Sequence, residues 1–150
     1  MRMRRKKWAR PELSVCPYFM KDPSKNRGHW AEQFERPEQP FWLELGCGKG
    51  TYAARVAADH PEINLLAIDI KSDILAVARR NIQEAYGEEQ PDNVALCAYN
   101  IERLPQLFAP GEQVDVVVRP EDVDIVPVEQ GQLTGTVTEV TFKGVHYDTI

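Results

Sequence analysis

A glycine loop between an apolar strand and an alanine-rich segment constrains this sequence more than any other feature. The apolar run Phe41–Leu45 includes one carboxylate, Glu44, and Gly46, Gly48 and Gly50 follow it at alternate positions. Glycines allow positive φ angles and leave no Cβ between the backbone and a ligand. The free amide groups at the start of the next helix would point toward this loop. The pattern predicts the strand, loop and helix that begin a βαβ unit.

A second carboxylate ends the next apolar run of the sequence. Asp69 follows Gly50 by about 20 residues, an interval typical of an acid that binds ribose hydroxyls. Because parallel neighbouring strands end at the same sheet edge, we expect Glu44 and Asp69 to lie close together. These features resemble the cofactor site of S-adenosylmethionine-dependent methyltransferases. The alternative is an ordinary α/β turn with two solvated acids.

Short apolar strands and amphipathic helices alternate through the middle of the chain. The predicted order is strand 41–45, helix 51–60, strand 63–70, a helix from Ser72, strand 94–98 and strand 114–118. This alternation predicts an α/β fold with a doubly wound, Rossmann-like parallel sheet in the strand order 3-2-1-4. Asn100 would join Glu44 and Asp69 at the carboxyl edge, where its amide suits an adenine edge. Asn100 also suits a turn that opens a short helix over 102–108.

The first 40 residues differ in charge and composition from the rest. Residues 1–36 hold ten Lys/Arg against four Asp/Glu, whereas the whole chain has a net charge of −5. The cluster of cations that surrounds Trp8 comprises Arg2, Arg4, Arg5, Lys6, Lys7 and Arg10. Five prolines predict an irregular arm. Basic residues interleaved with aromatic ones favour RNA contact, and the alternative is a solvated tail.

Composition excludes several other classes of protein. The 150 residues suffice for one hydrophobic core. No apolar run is long enough to span a membrane, and no apolar segment follows the basic N-terminus as in a secretory signal. Three cysteines without close spacing predict reduced thiols in a cytoplasmic protein. The scattered histidines predict no metal site.

Residues 1 to about 115 resemble the N-terminal half of the bacterial tRNA (guanine-N7)-methyltransferase family. The segments that carry the resemblance are 1–9, 43–50, 67–71 and 108–112. The resemblance implies that guanine N7 of a tRNA attacks the sulfonium methyl group and that the basic arm contacts tRNA. It implies S-adenosylmethionine bound by Glu44, Gly46, Gly48, Gly50, Asp69 and Asn100.

The sequence departs from this family after Val114 and Asp115. The family's Asp-Pro-Trp motif, whose aspartate is the catalytic candidate, does not follow, and neither does its Thr-x-Asp segment. We therefore predict no catalytic residue, at most weak cofactor binding and no turnover. Residues 116–150 instead resemble the transport-associated OB-like (TOBE) domain of polyamine-type ABC importer ATP-binding subunits. The matching motifs are 119–122 and 142–144, and alternating Thr and Val predict a β-hairpin.

Three segments are thus predicted, namely the basic arm 1–40, a partial cofactor-binding domain 41–115 and a β-rich tail 116–150. Strand 114–118 would form an exposed apolar edge that is suited to pairing with a second copy of the chain. Two alternatives to the enzyme interpretation remain open. One is a non-catalytic transport-associated fragment, and the other is a simple RNA-binding module.

Overall fold

The computed structural model forms two compact units, Met1–Val117 and Val118–Ile150. The residues that the structure describes are 5–117, 126–131, 140–142 and 147–149. Arg2 and Arg4 of the cationic cluster lie outside them, as do the 119–122 motif and residues 143 and 144.

The first unit is built on a five-stranded parallel sheet. In chain order its elements are α1 (Ala9–Ser14), β1 (Phe19–Met20), β2 (Phe41–Leu45), α2 (Thr51–Asp59), β3 (Asn64–Asp69), α3 (Ser72–Tyr86), β4 (Val94–Ala98), α4 (Leu104–Leu107) and β5 (Asp115–Val117). Short 3₁₀ helices lie at Pro23–Asn26, Ala31–Gln33 and Ile101–Arg103. The strand order is β1-β4-β3-β2-β5, and every pairing is parallel. The predicted order 3-2-1-4 is confirmed, with β1 added beside β4.

Helices cover one face of the sheet. Leu65 and Ala67 of β3 belong to one buried cluster that includes Ala57 of α2, Leu75 of α3 and Leu13 of α1. Alternate residues of a strand point to opposite faces, so this cluster uses every second residue of β3. The small alanines of α2 and α3 allow the two helices to lie close to the sheet and to each other.

Aromatic side chains lie together in a second cluster. The ring of Phe41 on β2 lies 5.7 Å from that of Phe34 and 6.2 Å from that of Phe108. Trp30 is fully buried, stacks at 5.6 Å on Phe108 and donates from Nε1 to the Leu107 carbonyl at 2.8 Å. Trp30 and Phe34 are both buried, and the 3₁₀ turn Ala31–Gln33 lies between them.

The predicted irregular arm needs correction within the described residues. α1 buries Ala9 and Leu13 against α3, and β1 pairs with β4. Pro11 does not prevent α1, because it occupies the first turn, where a backbone N–H has no intrahelical partner.

The predicted strand 114–118 is shorter in the structure. β5 comprises Asp115–Val117 and lies beside β2 at the sheet edge, and Val116 is 40% exposed. Val118 lies outside the described residues. The predicted hairpin of the tail is confirmed by a separate antiparallel sheet of β6 (Val140–Phe142) and β7 (Tyr147–Thr149).

Candidate functional site

The two acids of the glycine-loop region lie at the carboxyl edge of the sheet. In the parallel register Glu44 is opposite Ala67, and Asp69 is opposite Ala98. Asp69 therefore lies two residues further along β3 than the position facing Glu44. Glu44 is 9% exposed and Asp69 is partly exposed. The sequence prediction that both acids share one edge is confirmed by this register.

Asp69 holds the glycine loop through its carboxylate. The Gly48 N–H donates to Asp69 Oδ2 at 3.0 Å, and the Lys71 N–H donates to Oδ1 at 3.0 Å. The Cys47 N–H also donates to the Ile68 carbonyl at 2.9 Å. These bonds fix the loop against the end of β3. Each carboxylate oxygen has a second lone pair with which to accept another hydrogen bond.

The three loop glycines share a positive φ angle but differ in what surrounds them. All three have positive φ, at 70°, 55° and 66° for Gly46, Gly48 and Gly50. A Cβ on Gly50 would lie 2.6 Å from the Ala78 Cβ, so this glycine allows α2 and α3 to approach. A Cβ on Gly46 would meet no atom of the described residues within 4 Å. Gly46 therefore leaves open space over the loop, into which a ligand can approach the backbone.

The surroundings of the glycine loop raise the pKa values of two neighbouring side chains, Cys47 and Tyr52, and so keep them uncharged beside the two acids. Burial, followed by the charges of Glu44 and Asp69, raises the pKa of the Cys47 thiol well above its usual range. Burial and the charge of Glu44 also raise the pKa of Tyr52 in the first turn of α2. Cys47 is thus held as a protonated thiol, which is a poor nucleophile.

Asn100 adopts the turn role that its sequence position also allowed. Its Oδ1 accepts a hydrogen bond from the Glu102 N–H at 3.0 Å, and it caps the 3₁₀ helix Ile101–Arg103. The side chain is partly exposed. A contact between Asn100 and an adenine stays a prediction.

The described members of the cationic cluster around Trp8 lie on and before α1. Arg5, Lys7 and Arg10 are exposed, and Lys6 is partly exposed. Two aromatic residues of the arm are not available as platforms for bases. Tyr18 and Trp30 are buried in the fold. These two rings therefore do not contribute to the RNA contact that was predicted for the arm.

Sequence reasoning missed a cluster that ties α1 to α3. Glu12 accepts hydrogen bonds from Arg79 and Arg80, and the Arg80 guanidinium lies 3.5 Å from the centroid of the Trp8 ring. These partners are almost 70 residues apart in sequence, at 67 and 68 positions from Glu12. The one signal in the sequence was Glu12, an acidic residue within a basic segment.

Two kinds of feature are absent from the described residues. No group of three or more His, Cys, Asp and Glu side chains is arranged to hold a metal ion in this part of the chain. The helices within the described ranges are too short or too polar to cross a bilayer.

Comparison with known proteins identifies the family of this sheet and loop. The family model described as "Methyltransferase domain" matches residues 41–143. The chain belongs to this methyltransferase-domain family. The match includes β2, the glycine loop and β3, and the prediction of a Rossmann-like methyltransferase fold is confirmed.

Several relatives of the chain carry the same name. A "tRNA (guanine-N(7)-)-methyltransferase" of Clostridium perfringens (strain SM101 / Type A) is 46% identical over 117 residues, covering 77% of this chain and 53% of the relative. Proteins of the same name are 46% identical over 121 residues in Clostridium beijerinckii (79% and 53% covered) and 36% identical over 116 in Acetivibrio thermocellus (76% and 53% covered). The chain thus spans about half the length of the curated relatives it matches.

Proposed function

We propose that this chain is the cofactor-binding part of an S-adenosylmethionine-dependent tRNA (guanine-N7)-methyltransferase. The observation that carries the proposal is the bond between the Gly48 N–H and Asp69, which builds a glycine loop onto the carboxyl edge of a parallel sheet. Ligands of such sheets bind at this edge. The names of the relatives support the reaction and the tRNA substrate.

The residues at this edge fit the cofactor. Asp69 accepts the ribose hydroxyls on its remaining lone pairs, and Glu44 supplies a second negative charge beside the loop. Gly46 and Gly48 let the backbone approach the ligand, and Gly50 keeps α2 close behind them. The Asn100 side chain caps the 3₁₀ helix Ile101–Arg103 in the structure, and we propose that its amide binds the adenine of the cofactor.

When bound, S-adenosylmethionine supplies a methyl group activated by its sulfonium. The protein mainly positions the two reactants in line and excludes water. No covalent nucleophile is needed, which agrees with the protonated, buried state of Cys47. Guanine N7 is proposed as the attacking atom on the basis of the family resemblance.

We propose that the chain alone binds the cofactor weakly and does not turn over. The Asp-Pro-Trp segment, whose aspartate is the catalytic candidate in the family, does not follow Val114 and Asp115. Detection of N7-methylguanine in undermodified tRNA after incubation with the purified chain would contradict this part of the proposal.

A thermal-shift titration tests the cofactor site itself. Binding at ten times the dissociation constant stabilises the folded state by about 1.4 kcal/mol, which raises the unfolding midpoint. Asp69→Ala should abolish the shift, whereas Asp59→Ala, which removes an exposed acid from the C-terminal end of α2, should retain it. Equal shifts in the two variants would place the ligand elsewhere.

The C-terminal tail supports a second candidate. Its described strands form an antiparallel pair in a sheet of their own, which is compatible with a TOBE-like, transport-associated fragment. The match to the methyltransferase-domain family, by contrast, runs to residue 143 and so includes most of this segment, which favours the main proposal. Co-elution with a transporter subunit, together with no cofactor binding, would favour this candidate over the enzyme.

Two further properties are proposed with the main function. The exposed Val116 on the edge strand β5 supports association with a second copy through residues 114–118. The tRNA substrate and the three free, buried cysteines support a cytoplasmic location.

The remaining alternative is a simple RNA-binding module. Such a module would show tRNA affinity without any effect of the cofactor.

A further inference from the structure

Glu44 lies on the side of the sheet on which the helices pack. In the parallel register Glu44 is opposite Ala67, and Trp42 is opposite Leu65. Strand residues that face each other in register point to the same side of a sheet. Ala67 and Leu65 belong to the buried cluster beneath the helices, and Trp42 packs against that cluster. The Glu44 carboxylate is therefore at the carboxyl edge on the side that α2 covers.

Tyr52 brings a hydroxyl to the same edge from the first turn of α2. The Cα–Cβ bond of a helical residue tilts toward the N-terminus of its helix, and α2 begins directly after Gly50. Ala53 and Ala54 of the same turn are buried, whereas Tyr52 is 40% exposed. Burial, and after it the charge of Glu44, raises the pKa of Tyr52. The hydroxyl therefore stays protonated beside Glu44 and can donate a hydrogen bond.

The strand order determines which part of the proposed cofactor lies over these two residues. Asn100 follows β4, Asp69 ends β3 and Glu44 is on β2, and the three strands are neighbours in that order. With the adenine at Asn100 and the ribose at Asp69, the methionine part extends over β2. A Cβ on Gly46, directly after β2, would have no neighbour within 4 Å among the described residues. This end of the loop therefore has room for the methionine part.

The methionine part carries an ammonium and a carboxylate, and Glu44 distinguishes between them. Its negative charge attracts the ammonium and repels the carboxylate of the ligand. The ligand carboxylate therefore needs a donor near Glu44, and the Tyr52 hydroxyl is one. The exposed Lys49 ammonium is the competing donor. However, Asn81 Nδ2 on α3 donates to the Lys49 carbonyl at 2.8 Å, which places this residue on the α3 side of the loop.

We propose that the Tyr52 hydroxyl donates a hydrogen bond to the carboxylate of the methionine part of S-adenosylmethionine, while Glu44 holds the ammonium beside it. The inference rests on the proposed function and adds to it a residue that selects a cofactor with an intact amino-acid group. Tyr52 is thus a cofactor-binding residue that the glycine-loop pattern does not include.

NMR titration of the full chain with two ligands tests this proposal. One ligand is S-adenosylmethionine, and the other is decarboxylated S-adenosylmethionine, which keeps the adenosine, the sulfonium and the amino group but lacks the carboxylate. A hydrogen bond to a charged group changes affinity by about tenfold or more. Tyr52→Phe keeps the ring, so it should weaken the binding of S-adenosylmethionine by about tenfold and leave that of the decarboxylated ligand unchanged.

Tyr99→Phe is the matched control for the loss of a tyrosine hydroxyl. Tyr99 is partly exposed, follows β4 and donates to Gln106 Oε1 at 3.3 Å. Its replacement should leave the ratio of the two affinities unchanged. An equal loss of both affinities in Tyr52→Phe would indicate a structural role of the hydroxyl and overturn the proposal. A ratio that changes in Lys49→Ala but not in Tyr52→Phe would assign the carboxylate to the loop lysine and overturn it too.

The wild-type chain separates this inference from the enzyme proposal. Binding of neither ligand by the wild-type chain would refute the enzyme proposal itself. Binding of S-adenosylmethionine with the same affinity by the wild type and by Tyr52→Phe would refute the role of Tyr52 alone. The NMR spectrum of each variant without ligand shows whether that variant is folded.

Discussion

Replacing Gly50 by alanine tests whether the glycine loop also fixes the packing of α2 on α3. Gly50 has a φ of 66°, which costs a non-glycine residue about 1–2 kcal/mol. The new Cβ would lie 2.6 Å from the Ala78 Cβ and 3.1 Å from its Cα, so the helices must separate. Such overpacking costs about 1–3 kcal/mol more. We expect Gly50→Ala to lower the free energy of unfolding by about 2–5 kcal/mol.

Gly46→Ala is the matched control for this prediction. Gly46 has a similar φ of 70°, but a Cβ there would have no neighbour within 4 Å in the part of the chain that the structure describes. Gly46→Ala should therefore lower the free energy of unfolding only by the backbone strain of about 1–2 kcal/mol. Urea denaturation measures both variants, and the difference between them isolates the contact with Ala78. Equal losses in the two variants would refute the claim that Gly50 serves the packing of the helices.

Three further predictions concern groups buried in the first unit. Asn93→Ala should cost about 2–4 kcal/mol in urea denaturation, because Asn93 Nδ2 donates to three backbone carbonyls around the end of α2 and Tyr86 donates to its Oδ1. An effect below 1 kcal/mol would be inconsistent with this network. Trp30→Phe should cost about 1–3 kcal/mol, since it leaves the buried Leu107 carbonyl without its donor; a neutral result would contradict that role. Burial raises the pKa of Cys97 to about 12, so its protonated thiol stabilises the folded state below the unfolded pKa near 9. Stability should then fall by up to about 1.4 kcal/mol per pH unit between these values, and Cys97→Ala should show a shallower fall.

The central strands could be predicted closely from the sequence. Phe41–Leu45 and Val94–Ala98 agree with the predicted bounds because both are predominantly apolar runs that end at a loop glycine or a polar turn. β1 could not be predicted in this way. Phe19–Met20 is only two residues long and depends on pairing with β4, so no periodicity reveals it.

The position of the candidate site at the sheet edge could be predicted from the sequence, but the contacts made within it could not. The order of strands is enough to bring Glu44 and Asp69 to one edge. The bond from the Gly48 N–H to Asp69 depends on loop geometry, and the contact of Gly50 with Ala78 depends on helix packing. The Arg80–Trp8 stack joins residues that are distant in sequence. Pairing of this kind leaves no local pattern.

Isothermal titration of the purified chain with S-adenosylmethionine tests the central claim most directly. The account predicts weak binding of one cofactor per chain, with heat that disappears in Asp69→Ala and persists in the control Asp59→Ala. The absence of any heat with the wild-type chain, or binding by Asp69→Ala as tight as that of the wild type, would contradict a cofactor site on the glycine loop.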